Sequence, residues 1–292
     1  MLKSCFSFSK SGICGIINSE KGVLKESLHR AYGNGPPPFR QGRQFPEGGF
    51  LMEEFFEASL FSKPFLSAVI VAAGSSSRMG GTDKIFLPIN GIPVVARSLL
   101  AYENCADVSE IVVVTKESSI EKIQKLAEEY EISKLKTVVA GGETRAESVK
   151  NGVLAVSEKA DFVAIHDGAR PLIIPEDISR CAEDAFRCGG AILAVPVTDT
   201  IKYGRKNGFV EYTPAREKLF AAQTPQIFDL KIYKEAMERA FKELSDWTDD
   251  SRIFENDARK VFLTPGKRYN IKITSPEDIP IAEALLKGRE TE

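Results

Sequence analysis

From Ser67 onward the chain alternates short apolar runs with segments of helical periodicity, and this alternation restricts the possible folds most strongly. The apolar runs predict strands. They read SAVIVAA, EIVVVT, KTVVA, DFVAIHD and AILAVPV. The segments between them place apolar residues along one side of a helix. Strands that are apolar on both faces and alternate with helices indicate an α/β fold with a mainly parallel sheet and helices on both faces.

The rhythm breaks after Val197, where TIKYGRKNGFVEYTP joins two short β-prone runs through Lys206-Asn207-Gly208. An Asn-Gly pair between such runs is a strong hairpin signal. Because this hairpin is polar and interrupts the α/β pattern, we expect it to project as a β-arm over about residues 198–216. The pattern then resumes. It ends with NIKIT, predicted as a strand, and a helix with Ser275 as N-cap and Pro276 at its first position.

Residues 1–65 lie outside the regular pattern, and we predict a disordered or non-native extension followed by one domain over residues 66–292. The stretch GNGPPPFRQGRQFPEGG is too rich in glycine and proline for a helix or a central strand. A transit peptide for plastid import is disfavoured by the acidic residues of this segment. Codons for Glu47-Gly48-Gly49 can spell a bacterial ribosome-binding sequence, which would make Met52 the natural start.

The composition gives no support for several kinds of partner, membrane segment and metal site. The formal net charge of −2 gives no argument for binding a nucleic acid or an acidic membrane surface. No apolar run reaches the roughly 18 residues that a transmembrane helix needs. The five cysteines form no CxxC pair, which disfavours a disulfide framework and a structural zinc site. We therefore expect a reducing compartment, the bacterial cytoplasm.

The first strand runs directly into a flexible, polar, basic loop, AAGSSSRMGGTDK. Ligands of open α/β sheets bind beyond the carboxyl ends of the strands, where this loop lies. Glycine lets consecutive backbone N–H groups approach an anion, and Arg78 and Lys84 add positive charge. The loop contains neither the P-loop pattern nor the dinucleotide fingerprint. It predicts a polyphosphate site, with an ordinary glycine- and serine-rich connector as the alternative.

Six motifs follow one another along the chain: AAGSSSRM with a following lysine, GGETRAESV, HDGARP, TPQIF, TDD and NIKIT. Together they resemble the 4-diphosphocytidyl-2-C-methylerythritol synthases, also called 2-C-methyl-D-erythritol 4-phosphate cytidylyltransferases. The resemblance covers roughly residues 66–288 and implies a Rossmann-like nucleotidyltransferase fold. It implies an enzyme of the non-mevalonate isoprenoid pathway that transfers CMP from CTP to 2-C-methyl-D-erythritol 4-phosphate and releases pyrophosphate. It also implies Mg²⁺ or another divalent cation, and a homodimer joined through the β-arm.

The resemblance assigns roles to the cationic residues. Arg78 and Lys84 would stabilise the charge that develops on the α-phosphorus and on the leaving pyrophosphate. Arg216 and Lys272 would orient the incoming substrate phosphate. Without the resemblance, Arg216 would be interpreted as part of an ion pair on the surface of the arm, and Lys272 as a lysine at the edge of a strand.

The resemblance also implies binding residues around the sheet. The nucleotide would lie against Ala72, Ala73, Gly74, Ser75, Gly142, Ser148 and Gly168. The polyol phosphate would contact Asp167, Arg170 and Thr200, besides Arg216 and Lys272. Asp167 would also take part in the metal site, because magnesium is usually held by one or two carboxylates together with substrate phosphates and water.

Three neighbouring features have structural interpretations. His166 precedes Asp167 on a strand and so points to the other face, which predicts a structural histidine. Thr144 and Glu147 match a capping box at a helix start. The TDD motif, residues 248–250, more simply caps the next helix than takes part in chemistry.

Two other functions remain open from the sequence. Ribitol-5-phosphate cytidylyltransferases resemble the chain almost as well, although they often carry AGG where this chain has Ala72-Ala73-Gly74. A non-catalytic nucleotide-binding module on the same fold is the other alternative. The joint presence of Arg78, Lys84, Asp167 and Lys272 disfavours it.

Overall fold

A seven-stranded sheet forms the centre of the fold in a computed structural model that describes residues 63–74, 83–243, 247, 249–255 and 260–289. The predicted extension up to residue 62 lies outside the described residues, as do Ser75 and Arg78 of the loop after the first strand. All described residues belong to one compact unit. None of the helices within these ranges is long and apolar enough to cross a membrane.

In chain order the strands of this sheet are β1 (Leu66–Val71), β4 (Val108–Thr115), β5 (Leu135–Ala140), β6 (Phe162–Asp167), β7 (Gly190–Pro196), β10 (Phe220–Asp229) and β11 (Phe262–Pro265). Across the sheet their order is β11-β7-β10-β6-β1-β4-β5. Only β10 pairs antiparallel with its neighbours, so the predicted mainly parallel sheet is confirmed. Two short antiparallel pairs are separate from it: β2 (Pro88–Ile89) with β3 (Ile92–Pro93), and β8 (Tyr203–Gly204) with β9 (Val210–Tyr212).

Helices cover both faces of this sheet. They are α1 (Val94–Glu103), α2 (Ile120–Glu129), α3 (Arg145–Ala155), α4 (Pro175–Cys188), α5 (Leu230–Glu243), α6 (Asp250–Glu255) and α7 (Asp278–Arg289). For α4 the sequence explains both ends of the helix. Pro175 stands at the start of α4, where its fixed φ suits a helix, and Gly189 ends that helix with φ +82°. The predicted α/β fold with two covered faces is therefore confirmed.

The sheet separates two apolar cores, and a smaller third one holds the end of the chain. One core contains buried side chains of α1, α2 and α4, and the other contains those of α3, α5 and α6. The third joins Ile273 and Ala282 to Ile89, Val94 and Leu172. Helix α7 and the segment before it are thus anchored near the start of α1.

The chain reverses its direction across the sheet between β1 and β6. From β1 it proceeds to β4 and β5 on one side, and then crosses back to β6 on the other side of β1. The carboxyl ends of β1 and β6 flank this switch point, which is where open α/β sheets bind ligands. The polar loop after β1 and Asp167 at the end of β6 therefore border the same crevice.

Two local predictions are wrong. Residues 270–274, NIKIT, form no strand, because their backbone pairs with the turn after β6, through Ile273 N and the carbonyl of Ala169 at 2.8 Å. The last helix begins at Asp278 rather than just after Ser275. The carboxylate of Asp278 accepts hydrogen bonds from the backbone N–H groups of Thr274 and Ser275, which holds these residues in a turn before the helix.

The predicted hairpin is confirmed. Strands β8 and β9 pair antiparallel, and Gly208 adopts φ +87° in the connecting turn. The rings of Tyr203 and Tyr212 stack across the pair with centroids 4.8 Å apart. Apolar side chains along the arm are exposed, with Phe209 at 72% and Val210 at 59%.

Candidate functional site

Backbone hydrogen bonds join the ends of four strands, β1, β4, β5 and β6, into one rim. Ala72 N donates to Val114 O at 2.7 Å, and Gly168 N donates to Val71 O at 2.9 Å. Gly141 N donates to Thr115 O at 2.8 Å. These bonds continue the parallel ladders past the ends of β1, β5 and β6. The predicted nucleotide-binding segments around Ala72, Gly142 and Gly168 are therefore neighbours in space.

Small residues are required where these segments touch. A Cβ atom on Gly168 would lie 3.2 Å from the Cβ of Ala72, and one on Gly141 would lie 2.5 Å from the Cβ of Ala73. Among the described residues, a Cβ on Gly74 would meet nothing within 4 Å. The first two contacts let main chains approach closely, and the open space at Gly74 leaves room beside the rim.

The GGETRAESV motif forms the turn from β5 into α3. The capping box is confirmed: Glu147 N donates to Thr144 Oγ1 at 3.1 Å, and Thr144 N donates to Glu147 Oε2 at 3.0 Å. The buried Ser148 hydroxyl accepts from Gly142 N at 3.1 Å and donates to the carbonyl of Thr144 at 2.9 Å. Ser148 thus shapes the backbone that is predicted to face the cytosine, and its direct contact with the base stays a prediction.

Asp167 lies at the centre of a cluster of cations. Lys272 Nζ is 2.8 Å from its Oδ2, and Arg170 Nε is 3.6 Å from the same oxygen. Arg145 Nε is 3.6 Å from Oδ1. Thr224 Oγ1 accepts a hydrogen bond from the backbone N–H of Asp167 at 3.1 Å, which fixes the end of β6. The structure thus brings three sequence-predicted residues together, Asp167, Arg170 and Lys272.

The surrounding charges keep Asp167 ionised. Burial by itself would raise the pKa of this carboxyl group, but Arg145, then Lys272 and Arg170, outweigh it and hold the pKa well below its usual range. Since Arg145 also pairs with the buried carboxylate of Asp250 at 2.7 Å, two carboxylates stand against three cations, and one positive charge is left over for a phosphate.

Lys272 reaches Asp167 because the segment carrying it is fastened at both ends. The buried Asn270 donates from Nδ2 to the carbonyl of Thr224 at 3.0 Å, and its own carbonyl accepts from Arg170 Nη1 at 2.8 Å. Ile273 is fully buried in the third core. The intervening Lys272 therefore faces the rim.

Arg145 was missed by the sequence analysis although it lies inside a quoted motif. Its Nη2 donates to Oδ2 of the fully buried Asp250 at 2.7 Å, and the hydroxyl of Tyr233 donates to Oδ1 at 2.9 Å. One signal was present: a cation in the first turn of a helix opposes the helix dipole and needs a reason. Thr248 of the TDD motif lies outside the described residues, so its capping role stays a prediction, and Asp250 has a further role as the partner of Arg145.

His166 has the structural role that was predicted. It is fully buried on the opposite face of β6, its Nδ1 lies 3.0 Å from Thr224 Oγ1, and its ring packs at 5.0 Å from that of Tyr102. Burial lowers the pKa of His166 from 6.5 to about 3, so the ring is neutral.

Lys84 begins a short 3₁₀ turn, Lys84–Phe86, that two lysine side chains stabilise. Lys116, which follows β4, donates from Nζ to Asp83 Oδ2 at 2.8 Å. Lys122 of α2 places its ammonium 3.6 Å from the centre of the Phe86 ring. The first contact ties Asp83 to the residue after β4, and the second ties the 3₁₀ turn to α2.

Thr200 and Arg216 lie apart from this cluster, at the base of the arm. Arg216 starts the 3₁₀ turn Arg216–Lys218 and donates from Nη1 to the carbonyl of Thr198 at 2.8 Å. Both residues are exposed. Their predicted roles in substrate binding stay predictions, as do those of Ser75 and Arg78.

The site suits a magnesium ion that arrives with a phosphate ligand better than one held by protein alone. Among the described residues, no group of three or more histidine, cysteine or acidic side chains could hold a metal. Asp167 is ionised, and its Oδ1 lies 3.6 Å from Arg145 Nε, too far for a strong hydrogen bond. One carboxylate oxygen fits the role of a single protein ligand, with phosphate oxygens and water supplying the rest.

A switch-point crevice lined by glycine backbone, one ionised carboxylate and several cations defines an α/β protein that binds phosphorylated ligands. The comparisons specify it further. The family model for 2-C-methyl-D-erythritol 4-phosphate cytidylyltransferase matches residues 66–288. The chain belongs to this family of nucleotidyltransferases.

Individual relatives agree with this assignment. The enzyme of this name from Dehalococcoides mccartyi (strain ATCC BAA-2266 / KCTC 15142 / 195) is 42% identical over 228 residues, which cover 78% of this chain and 99% of the relative. That from Halalkalibacterium halodurans is 42% identical over 225 residues, 77% of this chain and 98% of the relative. The crystal structure of 4-diphosphocytidyl-2C-methyl-D-erythritol synthase from Anaerococcus prevotii superposes with a TM-score of 0.71 at 30% identity, covering 78% of this chain and 99% of that one.

Proposed function

We propose that this protein transfers CMP from CTP to 2-C-methyl-D-erythritol 4-phosphate, forming 4-diphosphocytidyl-2-C-methyl-D-erythritol and pyrophosphate. Family membership over residues 66–288 carries the proposal. The cluster of Asp167, Lys272, Arg170 and Arg145 at the switch point supports it, because both reactants are anions that must be brought together.

In the proposed reaction an oxygen of the polyol phosphate attacks the α-phosphorus of CTP. A new phosphorus–oxygen bond forms as the bond to the β-phosphate oxygen breaks, and that electron pair leaves with pyrophosphate. The protein then has two tasks, which are positioning and the neutralisation of charge. No covalent intermediate on the protein is involved.

Each cation has a place in this scheme. Lys84, at the base of the loop after β1, neutralises charge at the α-phosphate together with Arg78. Lys272 holds the incoming phosphate, and Arg170 adds charge beside it. Because Lys272 also pairs with Asp167 at 2.8 Å, the carboxylate keeps the ammonium group in place until the phosphate binds.

Asp167 is also our candidate for the one protein ligand of Mg²⁺, or of another divalent cation, that enters with CTP. When bound, such an ion neutralises part of the charge on the triphosphate. In the absence of nucleotide we expect little metal binding, since Arg145, Arg170 and Lys272 surround this carboxylate.

We further propose a homodimer joined through the β-arm. The arm exposes Ile201, Tyr203, Phe209, Val210 and Tyr212, which is more apolar surface than a two-stranded ribbon keeps in water on its own. A second copy of the arm would cover it. We also propose a reducing, cytoplasmic compartment, because the described cysteines Cys105, Cys181 and Cys188 are free thiols.

The decisive measurement is pyrophosphate release from CTP and Mg²⁺ with each polyol phosphate offered separately. We expect rapid release with 2-C-methyl-D-erythritol 4-phosphate and slow release with ribitol 5-phosphate. Faster turnover of ribitol 5-phosphate would replace the proposed substrate. CTP binding without release with either acceptor would favour a nucleotide-binding module.

A further inference from the structure

We infer that Arg145 is a positioning residue for the transfer reaction, which holds the carboxylate of Asp167 while Asp250 and Tyr233 hold its own guanidinium group. This inference deepens the proposed function and rests on it. Arg145 acts through Asp167, and its role differs from those of Lys84, Arg78, Arg216 and Lys272.

The contacts of Arg145 point in two directions. Nη2 donates to the buried Asp250 at 2.7 Å, whereas Nε faces Oδ1 of Asp167 at 3.6 Å. The anchor is rigid, because both oxygens of Asp250 are engaged and the side chain is fully buried. Its second partner, Tyr233, stacks on Phe228 with ring centroids 5.1 Å apart in the core. A fixed guanidinium therefore stands against one side of Asp167.

Lys272 stands against the other carboxylate oxygen, at 2.8 Å. Arg170 Nε faces the same oxygen at 3.6 Å, whereas Arg145 faces Oδ1. Without Arg145 the carboxylate would be free to turn about its Cβ–Cγ bond, which would move both of its oxygens. Arg145 therefore keeps Oδ2 against Lys272 and Oδ1 in position at the rim. Arg145 also begins α3, directly after the segment predicted to face the cytosine. One side chain thus sets Asp167 relative to the base-binding turn.

Stability alone is a poor explanation for this pair. A buried ion pair is often replaced by apolar side chains without loss of stability, because both charges must be desolvated. A cation in the first turn of α3 also opposes the helix dipole. The presence of an arginine at position 145 is explained if its positive charge is needed next to Asp167.

Two variants separate positioning from folding: Arg145→Gln, and the double variant that combines it with Asp250→Asn. Arg145→Gln alone leaves Asp250 charged and unpaired, so we expect a lower melting temperature as well as lower activity. The double variant removes both charges and should recover most of the melting temperature. Its kcat/KM for the polyol phosphate should stay about 100-fold below wild type, the loss expected for a misplaced group in a site of this kind. CTP affinity, measured by calorimetry without the acceptor, should change less than about 3-fold.

Arg187→Gln is the matched control. Arg187 pairs with Asp184 near the C-terminal end of α4, which leads into the start of β7. We expect wild-type kinetics from it. If the double variant regains both melting temperature and activity, or loses CTP affinity as strongly as turnover, Arg145 has no positioning role.

A crystal structure of the double variant tests the same inference without turnover. We expect the carboxylate of Asp167 to move by about 1 Å or more, a displacement large enough to affect a reaction. An unmoved carboxylate would overturn the inference. Failure of the proposed function would show itself separately, as a wild-type protein that releases no pyrophosphate with either acceptor.

Discussion

The ammonium group of Lys116 lies 2.8 Å from Oδ2 of Asp83. Lys116 directly follows β4 and Asp83 directly precedes Lys84, so this ion pair fixes the backbone next to Lys84. We predict that Lys116→Gln lowers kcat about 10-fold, because Lys84 then begins from a less fixed backbone. Lys125→Gln, an exposed change on the same helix as Lys122, should leave kcat unchanged. Steady-state kinetics at saturating CTP measures both. Equal kinetics for the two variants would show that the Asp83 contact has no influence on Lys84.

For Lys84 itself we predict that Lys84→Ala lowers turnover far more than CTP affinity. Its charge matters most when negative charge builds up at the α-phosphate, so the loss falls on the transition state. Calorimetry of CTP binding and the rate of pyrophosphate release give the two quantities. Equal losses in affinity and in kcat/KM would indicate uniform binding and contradict the role proposed here.

Gly168→Ala should destabilise the fold and the site together. The new Cβ would lie 3.2 Å from Ala72 Cβ and 3.3 Å from the carbonyl oxygen of Val71, and neither atom can rotate away. We expect a loss of about 1–3 kcal/mol in the free energy of unfolding. In Gly288→Ala, by contrast, the Cβ in α7 would meet no atom of the described part of the chain within 4 Å, so this control should be neutral or slightly stabilising. Denaturant unfolding compares them, and a neutral Gly168→Ala would show that the rim can expand.

The buried His166 predicts a pH dependence of stability. Its pKa falls from 6.5 to about 3 on folding, so between these values the unfolded chain binds one more proton and stability rises with pH. The slope expected from this group is about 1.4 kcal/mol per pH unit. We predict that His166→Gln loses this contribution between pH 6.5 and about 4.5, above the range where carboxylates titrate. Identical slopes for the two proteins would mean that His166 is protonated in the folded state. The other histidine, His29, is common to both.

The proposed dimer predicts that Arg216 serves the partner's site. Lys84→Ala and Arg216→Ala are each expected to be inactive, and the two would be mixed after dissociation and reassociation. If Arg216 acts in trans, each mixed dimer has one intact site. Because random pairing makes half of the dimers mixed, about a quarter of the wild-type activity should return. No return of activity, with subunit exchange demonstrated, would place Arg216 in the site of its own chain.

Periodicity was sufficient for the framework of the fold. The five strand-like runs and four helical segments were found as predicted, because buried parallel strands are apolar throughout and amphipathic helices repeat at a fixed spacing. The Asn-Gly hairpin was also found, since φ +87° at Gly208 is a local requirement that sequence reveals.

Tertiary contacts decided what periodicity could not. The alternation in NIKIT was real, with Ile271 and Ile273 packing into the third core, yet the partner of this segment is a turn and not a strand. Arg145 was overlooked because its partners, Asp167 and Asp250, are distant in sequence. Asp167 itself was found, because the end of a parallel strand has a predictable place at the rim.

The link between Asp167 and Lys272 also sets an order of events during synthesis. Arg145, Asp167 and Arg170 leave the ribosome well before Lys272, whose segment depends on α7 and its contact between Ala282 and the third core. Since chains begin to fold from the N-terminal side as they emerge, the four strands that carry the rim, β1, β4, β5 and β6, have time to pair before the lysine emerges. A nascent chain can therefore hold the rim of the site without yet having the lysine proposed to bind the acceptor phosphate.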